Sequence, residues 1–394
     1  MRLLLAAAAL AAALLALPSV AAACGGCLGA TITSVDSHRM AVLISPERSI
    51  LWDQITYTGS PEDFVWVLPV PSANVLVELA APSFLDDLEA QTSPIVQPRP
   101  PADPGEPEGC FGCCAGSAAD SAAGDVPSDE VMVYATSTVG PYETVIIGAE
   151  DPDALQDWLA GHGYPVPEST VPTIDHYVER GSVFVALRLA PSAGVQAMQP
   201  VRVTYQGALA QFPLEMVTVG ASGELGMTLW VIAEQRYAPR NYAAVQIDPD
   251  DLVFDWSTTT SNYDDVFDRT MQDAGGRAWV IEHAAPFGAL WWSAAADADL
   301  VRGAIPAPFV TRLRTRMLVD HLDEDLELAP ADDAAPVDRL LIAGQEVARP
   351  FDDAPPPEED GCRVQRRASA HILTILLVAA SCAWMARPRR RRRR

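Results

Sequence analysis

Apolar residues recur along most of the chain at every second position or in short unbroken runs, and both patterns predict strands. Residues 39–44 and 49–57 are extended runs parted by Ser45-Pro46. Residues 64–70 (Phe-Val-Trp-Val-Leu-Pro-Val) form a near-continuous apolar run, the mark of a strand buried on both faces, which Pro69 and Pro71 should end. Further strands are predicted at 131–135, 143–148, 182–189, 201–205, 227–233 and 278–282. Helical spacing is confined to short patches. Residues 83–89 start on Ser83 with acids in the first turns, and residues 153–160 place Leu155, Trp158 and Leu159 on one face before Gly161 stops them. Residues 171–179, 264–273 and 307–318 are the other predicted helices. The expected fold is α+β and β-rich, antiparallel sheets with short packed helices, plus one C-terminal transmembrane helix. No repeat of fixed period is present.

The two ends change this picture. Arg2, an apolar core over residues 3–17 and the small residues Ala21-x-Ala23 predict a signal peptide at 1–23. Residues 368–386 are apolar or small apart from His371, Thr374 and two serines, long enough to cross a ~30 Å hydrocarbon layer as a helix. Three arginines (Arg363, Arg366, Arg367) precede that span and seven (Arg387 and 389–394) follow it, which predicts a cytoplasmic C-terminus and an extracytoplasmic body at 24–361. Membrane attachment through this helix is the first partner expected.

All 27 basic residues other than histidine are arginine. Between residues 24 and 361 there are 16 arginines against all 52 acids, a net charge of −36. Such a surface repels phosphate backbones, so nucleic acid is not an expected partner, while divalent cations would be tolerated. Residues 97–127 (Pro, Gly, Ala, Ser and Asp) read as a disordered insert within a domain at 24–328, and residues 329–361, rich in Pro and Asp, as a stalk.

Cys382 lies in the membrane span and Cys362 beside it. The other five form Cys24-x-x-Cys27 and Cys110-x-x-Cys113-Cys114, disulfide candidates in an exported chain. Five is odd: one is free, lipidated (Cys24) or paired elsewhere. Zinc binding by the two clusters and a thiol redox role for Cys24 and Cys27 are the alternatives.

Several motifs carry a resemblance. The stretch Glu62-Asp63-Phe64-Val65-Trp66-Val67-Leu68-Pro69-Val70-Pro71-Ser72, the element Cys24-Gly25-Gly26-Cys27, Gly163-Tyr164 with Pro167, Tyr177, Gly181 with Phe184-Val185-Ala186, and the Thr-Arg-Leu-Arg-Thr-Arg run at 311–316 occur in this order. Together they resemble an uncharacterised family of exported bacterial proteins, domain of unknown function 2330, over roughly residues 24–330. The chain departs from the family pattern at Leu28-Gly29. The resemblance implies no activity, cofactor or catalytic residue. Gly361-Cys362, the apolar helix and the clustered arginines resemble a myxobacterial-type C-terminal sorting signal, which implies a sorting protease acting near Cys362 and delivery to the cell surface. The Arg-rich spacer 363–367 departs from that pattern.

Motifs for chemistry are sparse. No His-Glu-x-x-His, phosphate loop or dinucleotide fingerprint occurs, and Gly220-Ala221-Ser222-Gly223-Glu224 lacks the last glycine of a nucleophile elbow. No catalytic, cofactor-binding or metal-ligating residue is therefore assigned. The acid clusters at 248–251, 264–265, 297–299 and 323–325 lack calcium-loop spacing and read as solvated loops. Trp291-Trp292, after Pro286-Phe287, is either a core element or an exposed platform for a glycan or partner. The leading expectation is a non-enzymatic envelope protein for an unknown ligand or structural role. A hydrolase or metal-dependent enzyme is the runner-up and requires a cleft where His176 or His283 meets several carboxylates.

Overall fold

The computed structural model describes residues 34–58, 65–99, 132–163, 166, 168–190, 193–194, 198–219, 223–331 and 335–348. The segment read as a signal peptide, all seven cysteines, most of the expected insert and the segments read as a sorting signal and a 368–386 membrane span lie outside them. Among the described residues no helix is long and apolar enough to cross a membrane.

The described residues form twenty strands and six α-helices. The strands are β1 (Ser34–Ile44), β2 (Arg48–Thr58), β3 (Val65–Val70), β4 (Leu76–Leu79), β5 (Ile95–Gln97), β6 (Met132–Val139), β7 (Tyr142–Gly148), β8 (Val183–Leu189), β9 (Val201–Gln206) and β10 (Gln211–Phe212). There follow β11 (Glu224–Ala233), β12 (Tyr237–Pro239), β13 (Ala243–Val245), β14 (Val253–Asp255), β15 (Thr260–Ser261), β16 (Ala278–Pro286), β17 (Phe309–Leu318), β18 (Leu326–Pro330), β19 (Leu340–Ile342) and β20 (Gln345–Val347). The helices are α1 (Pro82–Thr92), α2 (Pro152–Gly161), α3 (Val171–Glu179), α4 (Leu214–Val217), α5 (Tyr263–Asp273) and α6 (Ala295–Ala304).

Side-chain alternation explains the layering. The main sheet has eight strands in the order β13-β16-β17-β11-β1-β2-β9-β4. Ala41, Leu43, Ile50, Trp52, Trp230, Ile232 and Val310 leave one face and pack with Phe84, Leu85 and Leu88 of α1 and Ala298 and Val301 of α6. Met40, Val42, Ile44, Leu51, Leu229, Val231 and Leu313 leave the other face and meet a four-stranded sheet, β3-β8-β7-β6, through Trp66, Leu68, Val70, Val185 and Leu187. The far face of that second sheet (Val65, Val67, Val145, Phe184) is covered by Leu155, Leu159, Ile174 and Val178 of α2 and α3. The order of layers is helix, sheet, sheet, helix. A period of two on a sheet covered on both sides reads as a continuous apolar run, which is why every residue of β3 is buried.

Four expectations are corrected. The main sheet is mixed, not antiparallel, because β1 runs parallel to β11 and β13 parallel to β16. Residues 307–318, expected as a helix, contain β17, hydrogen-bonded on one side to β11 and on the other to β16. Its arginines at 312, 314 and 316 alternate with Leu313, Thr315 and Met317, a strand period that the short helix-like spacing concealed. The segment read as a stalk contributes to the fold as far as β20: Ala329 and Pro330 at the end of β18 pair with β12, β19 pairs with β5, and β20 with β14. Its Pro and Asp residues flank Leu340 to Ala343, an apolar run long enough to dock, and Ala343 is fully buried. Pro69 lies within β3 rather than ending it, opposite Phe184. The edge position of β3 tolerates its missing N–H.

Candidate ligand pocket

A cavity of about 240 Å³ opens between the two sheets at the β3 edge. Its floor is apolar, formed by Val42, Leu51, Leu68, Val70, Tyr205 and Phe212, and its rim carries Tyr177, Arg180, Gln211 and Asp325. These residues come from β1, β2, β3, β9, β10, the end of α3 and the loop before β18.

Local structure aims the rim. Helix α3 buries Ile174, Tyr177 and Val178 on one face. It ends at Arg180, and Gly181 takes φ +75°, a left-handed conformation that lets the chain turn at once into β8. The Tyr177 hydroxyl donates to Asp325. Arg180 Nη1 lies 3.3 Å from the same carboxylate, Gln211 Nε2 3.4 Å and the Glu215 amide 3.4 Å. Asn241 pins the backbone beneath by donating to the Asp325 carbonyl (2.7 Å) and accepting from the Glu327 amide (2.9 Å).

Burial pushes the Asp325 carboxyl above the usual carboxylate range, and the Tyr177 hydrogen bond and Arg180 offset this only in part. Burial, then the Asp325 charge, pushes the Tyr177 hydroxyl up as well. Burial does the same to Tyr205 on the floor.

The histidines separate into different roles. His176 Nδ1 lies 2.7 Å from Glu215 Oε2, a single carboxylate, and neither residue lines the cavity. His283 on β16 is only 7% exposed, and neither ring nitrogen has a hydrogen-bond partner among the described residues. Burial lowers its pKa, Arg339 and Arg312 lower it further, and Asp338 opposes them. His162 caps α2, its Nδ1 2.7 Å from the Trp158 carbonyl. His38 pairs with Asp53 at 2.7 Å in the sheet interior. His321 contacts the Gly276 carbonyl at 3.0 Å.

The acid clusters are largely structural. Asp297 accepts from Trp52 Nε1 (2.8 Å) and Arg202 (2.7 Å), Asp264 faces Arg314, and Arg277 bridges Asp323 and Glu324. Among the described residues no group of three or more His, Cys, Asp or Glu is arranged to hold a metal ion. Trp292 stacks in the core and Trp291 is exposed, so the two readings of this pair divide between its members. Arg180, Gln211 and Glu215 carried no sequence signal and Asp325 was seen only as part of an acid cluster, because 110 or more residues separate the Asp325 carboxylate from each of these partners. Ser222 and the six cysteines considered as site residues (Cys24, Cys27, Cys110, Cys113, Cys114, Cys362) lie outside the described residues.

These layers and their lateral pocket define a β-rich domain with short packed helices. The chain belongs to the family described as an uncharacterized protein conserved in bacteria, DUF2330, matched over residues 18–329. No curated protein matches it. Among solved structures, baculovirus P35 is similar at a TM-score of 0.23 and 11% identity, over 54% of this chain and 76% of that one, a likeness too slight to carry an argument about fold.

Proposed function

We propose that this is an exported envelope protein, held at the membrane by the 368–386 helix, whose domain binds a small apolar group in the Tyr177–Asp325 pocket. The export reading is supported by the leader at 1–23 and by seven arginines after the span against three before it. The binding reading is carried by one observation, a cavity whose lining is mostly apolar but includes the polar side chains of Tyr177, Arg180, Gln211 and Asp325. A volume of about 240 Å³ exceeds the roughly 150 Å³ that accommodates benzene and falls short of the roughly 300 Å³ at which drug-sized sites begin. It fits one aromatic ring or one branched side chain, with Arg180 and Gln211 available to a polar end.

The test is native mass spectrometry of the full chain extracted from membranes, with indole, benzoate and isovalerate as probes. The expected result is a chain lacking residues 1–23 and a one-to-one adduct that Arg180→Ala weakens for the two carboxylates more than for indole. A chain that retains its leader in the soluble fraction defeats the export reading. Absence of any adduct, with the melting temperature unmoved by all three probes, defeats the binding reading.

One observation favours a second, hydrolytic reading: the His176–Glu215 contact at 2.7 Å beside Asp325. Turnover of an activated ester by the full chain, lost in both His176→Ala and Glu215→Gln, would establish it.

A further inference from the structure

The loop between β16 and α6 sends its two indoles in opposite directions. Trp292 stacks on Phe287 (4.3 Å between ring centroids, 17° between planes) and on Phe84 (5.2 Å, 28°). Trp291 is 64% exposed, the highest value for any large apolar side chain among the described residues.

The exposed ring is not on a slack loop. The Trp291 amide donates to Gln91 Oε1 at 2.8 Å, and its carbonyl accepts from Gln91 Nε2 at 2.6 Å. One turn earlier on α1, Asp87 accepts from the Ser293 amide (2.7 Å), the Ser293 hydroxyl (2.9 Å) and the Ala294 amide (3.3 Å). Two α1 side chains thus fix the backbone on either side of a ring that buries little of itself. Much of the ordering entropy that binding would otherwise cost has been lost on folding.

Arg302, over Phe287, and Arg339, which donates to the Ala90 carbonyl, bring positive charge near this loop, but the group beneath it and the net charge of the body are negative. Asp87 is 5% exposed and forms no ion pair among the described residues, so its carboxylate is held by neutral donors alone. A buried negative charge therefore lies under the loop, within a body of 16 arginines against 52 acids. The face of an indole is itself the negative side of its quadrupole. All three favour a cation.

Arginine, the chain's one non-histidine cation, stacks on rings elsewhere in the fold. Guanidinium carbons lie 4.4 Å from the Phe267 centroid (Arg314), 5.2 Å from Trp230 (Arg312) and 5.2 Å from Tyr242 (Arg277). On the same aromatic cluster, Arg302 lies 6.0 Å from Phe287 and pairs with Asp299 at 2.9 Å. Trp291 has neither a ring nor a cationic partner of this kind among the described residues. A quaternary ammonium group is held by a cage of several rings, whereas Phe287 and Trp292 are turned inward. A single open ring suits a flat guanidinium stacked on one face.

We propose that Trp291 is the recognition residue for an arginine side chain in a basic segment of a partner polypeptide, with Asp87 and the acidic body attracting that segment.

The experiment uses the full chain in detergent at about 0.15 M salt, where long-range attraction is screened beyond ~8 Å. The probe is a capped Gly-Arg repeat peptide, and the control is the same peptide with citrulline for arginine. Isothermal titration should show binding of the arginine peptide and at least tenfold weaker binding of the citrulline peptide. Trp291→Leu should weaken the arginine peptide about two- to fivefold, the range of an exposed cation–π contact, and Trp291→Phe by less. Melting temperature checks that the variants remain folded. Equal affinity for the two peptides on the unaltered chain overturns the proposal, as does unchanged affinity in a folded Trp291→Leu variant.

Discussion

Arg312 on β17 places Nε 2.6 Å from Glu282 Oε2 on neighbouring β16, and the Glu282 side chain has no solvent exposure. Arg312 also reaches Glu89 on α1 at 2.9 Å, and the Tyr263 hydroxyl donates to the other Glu282 oxygen at 2.8 Å. A central sheet strand, its neighbour and two helices are thus joined through one buried guanidinium. Removing one member strands the charge of the other, which costs about 3–5 kcal/mol, whereas replacing both by apolar residues is near neutral. Arg312→Met should destabilise the chain by that amount in urea unfolding, and the double substitution with Glu282→Leu should recover most of it.

Asp325 sets a pH dependence with a definite sign. Its folded-state pKa is raised by burial, so the native protein holds this proton more tightly than the unfolded chain. The stability contributed by the protonated form is present below the unfolded value of about 4 and is lost as pH rises through the folded value. Asp325→Asn should flatten that decline. Thermal unfolding across pH 3 to 8 for both proteins measures the difference, and identical slopes would exclude Asp325 as its source.

His283 acts at the other end. Burial and the nearby arginines lower its folded pKa, so the unfolded chain binds this proton more readily. Stability is full above the unfolded value of about 6.5 and falls as pH drops toward the folded value. His283→Leu should shift the acid-unfolding midpoint to lower pH, as the variant carries no group there to charge.

Gly344 bears on whether residues 335–348 belong to the folded domain. A Cβ at this position would lie 2.6 Å from the Asp250 Cα, 2.7 Å from its carbonyl oxygen and 2.9 Å from its carbonyl carbon. These are backbone atoms that no rotamer change can move aside. Gly344→Ala should therefore destabilise by about 1–3 kcal/mol, as overpacking does. In a solvated tether the same change would stay within about 0.5 kcal/mol. The melting temperature separates the two outcomes.

Local signals found the elements and misjudged their neighbours. The hairpin of β1 and β2 was legible because Ser45-Pro46 interrupts two extended runs, and Ser45 closes the turn on the Arg48 carbonyl at 2.7 Å. Helix α2 was legible because Leu155 and Leu159 recur one turn apart. Helix α6 was missed: its alanines and acids give little apolar periodicity, and Asp297 is buried only because Trp52 and Arg202, 245 and 95 residues away, supply its partners. Arg180 and Gln211 in the pocket were hidden for the same reason, whereas Tyr177 stood out through the resemblance and Asp325 only within an acid cluster read as a solvated loop.

By itself the sequence determined what depends on neighbours a few residues apart: a β-rich chain, most strand positions, four of the helices that pack on the sheets, and a strongly acidic body. Only the tertiary structure decided that β1 runs beside β11, that Arg312, Arg314 and Arg316 line one face of a strand, and that Tyr177, Arg180, Gln211 and Asp325 meet. Periodicity and turn chemistry act over one or two turns of chain. Which faces are buried together, and which charges must then find partners, is settled by removing all the apolar surface from water at once, and that condition is not written at any single position.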